Sequence, residues 1–244
     1  MPDSDDMLIE NSVKPCLDKA LETQADMIVA NFLKMNDDNF GNPIISPNQN
    51  NYSFVETTGS ELLEESLCRF YWRNLYRKDF LTDNHIKFVP HILAQDVPFT
   101  NECFLRAKKC LRTPWIIYIY RTGHTSASSY FTFKRAKDTC IATAKIWEFT
   151  KIDNLPYSVR LKQKDIVFHA FYTLISAISF GHLNKKEMIQ TIKVLKQEAP
   201  DMSFHHGFKQ KVWSYMYQKH PNTLIISFFY FQKFKNKLRH LSLI

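Results

Sequence analysis

Glycine is scarce in this chain, with five in 244 residues. No Gly-rich loop able to bring backbone N–H groups onto a phosphate is present, and no GxSxG elbow. On that ground a nucleotide-cradling enzyme is not expected. The five cysteines (16, 68, 103, 110, 140) form no CxxC pair and show no zinc-ligand spacing. Their odd number, with no signal-peptide pattern, points to a reducing compartment. His205-His206 is the one adjacent histidine pair, but neighbours on a strand face opposite ways and no carboxylate or thiol is spaced to complete a site. No metal or other cofactor is therefore expected. Long apolar runs are missing too. Ile166 to Leu183 is interrupted by His169, His182 and hydroxyl residues, and Leu224–Phe231 is far too short to cross a bilayer.

Charge is present and unevenly placed. The net formal charge is +8. Residues 1–66 hold thirteen Asp/Glu and three Lys, whereas the rest holds twenty-nine Lys/Arg and eleven Asp/Glu. An acidic tail on a basic body follows, and basic bodies favour polyanions. A solvated basic surface without a partner is the plainer alternative.

Hydrophobic periodicity gives a coarse element map. Leu17–Leu33 has the spacing of one helix, followed by a polar Pro/Asn-rich linker, with a domain boundary between Gly59 and Arg69. Leu75–Leu81 is a poor strand candidate, and Ile86–Gln95 has helical spacing, with Pro90 calling for a short or kinked helix. Phe104–Arg112 alternates, placing Phe104, Arg106, Lys108, Cys110 and Arg112 on one strand face. Trp115–Tyr120 reads as a strand, 121–124 as its hairpin turn and Ser126–Phe133 as the return strand. Lys134–Thr150 is an amphipathic helix with Ala136, Cys140, Ala144 and Trp147 on its stripe. Ile166–Phe180 suits a β-branched strand, Lys185–Glu198 a helix, Phe208–Tyr217 and Leu224–Phe231 two strands, and Lys233–Leu243 a short closing helix.

Two halves of this map carry aromatics at matching offsets. Asn74 is followed thirty residues later by Phe104, then by Pro114 and Tyr120; Thr173 is followed thirty-one residues later by Phe204, then by Pro221 and Phe228. An internal repeat predicts a pseudo-two-fold molecule. The stretch 173–181 (TLISAISFG), the polar helix that follows, 199–204 (APDMSF) and 114–123 (PWIIYIYRTG) carry a further likeness. Over about residues 70–244 the chain resembles the saddle domain of the TATA-box-binding protein family.

That resemblance implies an α+β fold: two quasi-repeats form a curved antiparallel sheet, with helices on the convex face. The implied organisation is a largely disordered acidic segment (1–65), a first repeat (66–155) and a second, C-terminally shortened repeat (156–244). It implies a nuclear, non-enzymatic factor in transcription initiation that bends double-stranded DNA through an A·T-rich minor groove. General transcription factors of the TFIIA-like and TFIIB-like kind would be its partners. Phe104, Tyr120, Phe204 and Phe228 would wedge between base steps, Asn74 and Thr173 would read the central step, and Arg106, Lys108 and Arg112 would meet phosphates. Tyr120 and Thr173 depart from the family's residues. Two rival readings stay open: the same saddle with DNA binding lost, serving as a protein–protein module, and an unrelated α+β protein, an enzyme among them, whose repeat is accidental.

Overall fold

Strands β2 (Met27–Asn36) and β5 (Cys110–Thr122) lie side by side and parallel. Parallel strands need a crossover between them, and the seventy-odd residues that separate them supply it. The computed structural model describes residues 6–36, 53–64, 70–123, 131–180, 183–204 and 206–241. They divide into two units, 1–88 with 99–126 and 89–98 with 127–244.

The first unit is a mixed sheet of order β1-β5-β2-β4. β1 (Met7–Leu8) and β3 (Val55–Thr57) both pair antiparallel with β5, at Tyr118–Ile119 and Cys110–Arg112 respectively. β4 (Asn74–Tyr76) pairs antiparallel with β2. Helix α1 (Val13–Thr23) joins β1 to β2, while α2 (Gly59–Glu64), α3 (Lys78–Asp83) and α4 (Asp96–Arg106, in this unit from Phe99) fill the crossover. Met27, Ile28, Val29 and Ala30 are all buried, so both faces of β2 are covered there, as parallel strands require. The β2–β5 register shifts between Val29 and Asn31. Pro114, which has no N–H for a ladder, falls in the extra length of β5 there. Gly59 permits a close approach: a Cβ on it would overlap the Phe104 carbonyl and lie 2.8 Å from that of Ala107.

Asp26 ties this unit together. Its carboxylate accepts the N–H of Lys108 (2.8 Å) and of Lys109 (3.1 Å), and pairs with the Arg77 guanidinium at 2.7 Å. Its own N–H donates to the Lys109 carbonyl and its carbonyl accepts the Arg77 N–H. One residue thereby fixes the start of β2 against the α4–β5 and β4–α3 turns.

The second unit is helical: α5 (Phe133–Glu148), α6 (Tyr157–Phe180), α7 (Lys185–Glu198), α8 (Gly207–Lys219) and α9 (Pro221–Leu241). Asn184 and Glu187 form a reciprocal capping box at the start of α7 (3.0 and 2.9 Å). The buried Tyr217 hydroxyl donates to the carbonyls of Leu195 and Ala199 at its end.

The saddle is therefore corrected. Among the described residues the sheet lies between Met7 and Thr122, is partly parallel, and has no counterpart in 157–241. Residues 74–150 and 173–241 share no order of elements, so the repeat is accidental. The segment expected to be disordered contributes β1, α1 and β2. The expected helix over Leu17–Leu33 stops at Thr23 because Gln24 turns left-handed (φ 54°), and a strand follows. Phe104 and Arg106 belong to α4 rather than a strand. Ile166–Phe180, Phe208–Tyr217 and Leu224–Phe231 are helical, whereas α5, α7 and the strand over Trp115–Tyr120 stand where expected. Residue 124 of the expected turn and residues 126–130 of the expected return strand lie outside the described residues.

Two predictions follow from this interior. Asp26→Ala strands two backbone N–H groups and a guanidinium, and should lower unfolding free energy by about 2–3 kcal/mol in a denaturant titration. Burial pushes the Cys16 thiol from 9.0 up to about 11, and burial with the nearby Asp26 and Glu61 charges pushes Cys110 to about 12. Cys103 and Cys140 are raised further, chiefly by burial. The folded chain keeps these protons at pH values where unfolded thiols have lost them. Stability should accordingly be unaffected by these groups in neutral solution and fall as pH climbs from 9 towards 12. Denaturant midpoints across that range measure it, and the four thiols should resist Ellman's reagent until the chain unfolds.

Candidate functional site

β2 and β5 finish together, with Met35 opposite Arg121 and Asn36 opposite Thr122. The Thr122 hydroxyl fastens the two ends by donating to the Met35 carbonyl (3.1 Å) and the Asn36 side-chain oxygen (2.7 Å). In open sheets with parallel strands, ligands gather outside the carboxyl ends. β1 runs antiparallel to β5 and delivers the residues before it to that same end.

Asp6 is held there by both carboxylate oxygens. The Tyr118 hydroxyl donates to one at 2.7 Å and the Arg121 backbone N–H to the other at 2.8 Å. Asp6 closes the run Asp3-Ser4-Asp5-Asp6. Residues 3–5 lie outside the described residues, but the chain anchors their neighbour at the sheet's carboxyl end.

Beside Asp6 stands an aromatic group. Trp72 stacks on Tyr118 (centroids 4.4 Å apart) and on Tyr120 (5.4 Å, planes 2° apart). Phe32 meets the edges of Trp72 (4.9 Å) and Phe70 (5.4 Å), and the Arg73 guanidinium lies 5.9 Å from the Phe32 centroid. Trp72 and Tyr120 are half-buried, while Tyr118 is fully buried. A hydroxyl, ring faces and the Asp6 carboxylate thus converge at one end of the sheet, the combination that orients a polar organic ligand.

Away from this group, a concavity of about 380 Å³ is lined by Val55, Glu56, Thr57, Glu61, Glu64 and Arg112. Its central acid is committed to structure. Glu61 accepts from the hydroxyls of Thr57 (2.7 Å) and Thr58 (3.1 Å) and from the Thr58 N–H (2.8 Å), closing the capping box of α2. Those bonds, led by the Thr57 hydroxyl, hold its carboxyl below the usual range.

The residues singled out from sequence do not form one surface. Asn74 begins β4, and its amide donates to the Phe70 carbonyl (3.2 Å) and the Tyr76 hydroxyl (2.9 Å). Phe104 is fully buried in α4, where Arg106 pairs with Glu102 at 2.9 Å. Lys108 serves Asp26 through its backbone, Arg112 lines the concavity beside Glu61, and Tyr120 joins the Trp72 stack. Thr173, Phe204 and Phe228 belong to the helical unit. Thr173 is exposed on α6, Phe204 is fully buried against Phe168 and Phe171, and Phe228 packs on Tyr172 and Trp213. The reading that missed Asp6, Trp72 and Tyr118 had one usable signal: four residues of Asp-Ser-Asp-Asp, counted only as charge. Among the described residues, no group of three His, Cys, Asp or Glu is placed to hold a metal ion.

No protein-family profile matches the chain. No curated protein matches it either. Its fold is similar to that of S. aureus TarS 1–349, crystallised in complex with UDP-GlcNAc, with TM-score 0.57 and 16% identity over 80% of this chain and 55% of that one. A second crystal structure of S. aureus TarS 1–349 gives TM-score 0.54 and 15% identity over 82% of this chain and 55% of that one. The chain thus spans about half the length of TarS 1–349. The shared property is an α/β fold, and it overturns the likeness to the TATA-box-binding protein family. The expectations built on that likeness fall with it: DNA and general transcription factors as partners, a role in transcription initiation, and the absence of catalysis.

The Asp6 clamp is directly testable. Tyr118→Phe keeps the Trp72 stack and removes one hydrogen bond to a carboxylate, which should cost about 1.5–3 kcal/mol in urea unfolding. Trp72→Phe, which shrinks the stack and leaves that bond in place, should cost less than Tyr118→Phe.

Proposed function

We propose that this chain carries part of a glycosyltransferase and that the carboxyl end of its sheet takes a nucleotide sugar. The observation that carries this reading is the fold shared with TarS, a protein crystallised with UDP-GlcNAc. Glycosyl transfer, the sugar and the acceptor are all part of the proposal, since the chain spans about half of TarS 1–349.

The placement of Asp6 supports the same reading. A nucleotide sugar presents a diphosphate, and the first 66 residues, with thirteen acids against three lysines, would repel it bare. A divalent cation removes that conflict. Mg²⁺ and similar hard ions are held by one or two carboxylates while phosphate oxygens complete the shell. Asp3 and Asp5 fit as donors by type, because Asp6 is already engaged by Tyr118 and Arg121. Such a cation, when bound, would stabilise the charge that builds on a departing diphosphate. Asp6 is the anchored end of that run, and the half-buried Trp72 and Tyr120 offer ring surface beside Asp6. No Gly-rich loop is needed on this route, so the scarcity of glycine does not exclude it.

Calorimetric titration of the chain with UDP-GlcNAc, with and without Mn²⁺, tests the reading. Saturable binding that requires the cation is expected, with affinity lowered about 10-fold or more by Asp5→Asn. Silence towards UDP-GlcNAc and UDP under both conditions would sink it.

A further inference from the structure

Helix α9 finishes with a stripe of exposed apolar side chains, at whose edge the Lys185 ammonium lies 5.2 Å from the Tyr230 ring centroid. Tyr230 (49%), Phe231 (57%), Phe234 (61%) and Leu238 (49%) are exposed, although each would be stabilised by burial. At about 100° per residue these four fall within one narrow face of the helix. Lys235 borders that face on one side, and Lys233 and Lys237 border it on the other. Opposite the stripe lie Gln232, buried, and Asn236, partly buried. The Lys233 ammonium rests 4.8 Å from the Phe229 ring centroid, its stem lying along apolar surface.

Neighbouring α8 has the same composition. Phe208 (84%), Val212 (43%) and Tyr215 (58%) are exposed at helical spacing, with Lys209, Lys211 and Lys219 around them. From Met202 to the last residue the sequence holds seven Lys/Arg and no Asp or Glu. Cations without any acid and uncovered apolar rings thus share one stretch of the chain.

We infer that the α9 stripe docks on the surface of an anionic membrane. Charge complementarity selects this occupant. A helix lying in the bilayer interface buries aromatic and leucine side chains at the level of the head groups, while flanking lysines extend sideways to anionic phosphates. A nucleic-acid surface would instead call for cations in the centre of the contact face, where α9 has Phe231, Phe234 and Leu238. Among the described residues no helix is long and apolar enough to cross a membrane, so the contact is one of lying on the surface. The inference is independent of nucleotide-sugar binding.

Flotation of the full chain with phosphatidylcholine vesicles, with and without phosphatidylglycerol, tests it. The chain should float with the anionic vesicles and much less with the neutral ones. Each of Lys233→Gln, Lys235→Gln and Lys237→Gln should weaken partitioning about five-fold, and the three together on the order of 100-fold. Phe234→Ser with Leu238→Ser should abolish flotation even at low salt, with helicity by circular dichroism and the UDP-GlcNAc titration unchanged. No flotation with either vesicle, or flotation indifferent to both sets of substitutions, would overturn the inference. So would a stripe that instead mediates self-association or DNA binding in the absence of vesicle binding.

Discussion

The carboxylate of Asp26 is the constraint on which the sheet depends. A parallel pair cannot be closed by a hairpin, so β2 and β5 meet only after a long crossover has been ordered. Asp26 stands at the point where that crossover returns. It takes two N–H groups from the turn that launches β5 and a guanidinium from the turn after β4, while its backbone continues the ladder. With the start of both strands fixed, their register is set by burial. Met27 to Ala30 are covered on both faces, and a slip of one residue would drive Asn31 inward.

The far end of the same pair is what the candidate site inherits. Because β2 and β5 end level, their carboxyl ends form a shared edge, and the short strand β1 adds a chain running the other way. Two residues of pairing would hold such a strand weakly. Tyr118 and Arg121 reinforce it through the Asp6 carboxylate, and the Trp115 indole N–H donates to the Ser12 carbonyl at 2.7 Å. Asp6 is therefore located by β5 itself, whose buried Tyr118 also carries the Trp72 stack. One strand thus positions both the Asp6 carboxylate and the rings.

Helices with one apolar stripe were legible in the sequence. α5 has Ala136, Cys140, Ala144 and Trp147 on one side, and α7 has Met188, Ile192 and Leu195 with a capping box before them. α6 was not, although its buried positions 159, 163, 167, 171, 174 and 178 keep helical spacing. Phe168, Tyr172 and Ile166 fill its other faces, and a helix apolar on several sides loses its period and resembles a buried strand. In α8 the alternation of Lys209 and Lys211 imitated period two. The parallel pairing of β2 with β5 has no local trace at all, being a contact across some eighty residues. Asp6 was invisible for the same reason: an acidic residue near a terminus reads as a solvated tail until its partner strand is known. Tyr120 was noticed for its place in an apparent repeat and in fact belongs to the stack beside that acid.

The net charge of the chain misleads when taken as one number. A basic body suggested a polyanion gripped across a curved sheet, but the sheet begins in the acidic part of the sequence, and its carboxyl end carries Asp6. A stretch of lysines and arginine with no acid among them lies instead in α8 and α9, among exposed rings. Separate charges of this kind suit separate tasks. An acidic edge can receive an anion only through a cation, whereas a lysine-flanked apolar stripe can meet an anionic surface directly. The two halves of the charge distribution therefore point to two different ligands, and neither requires the duplex that their sum suggested.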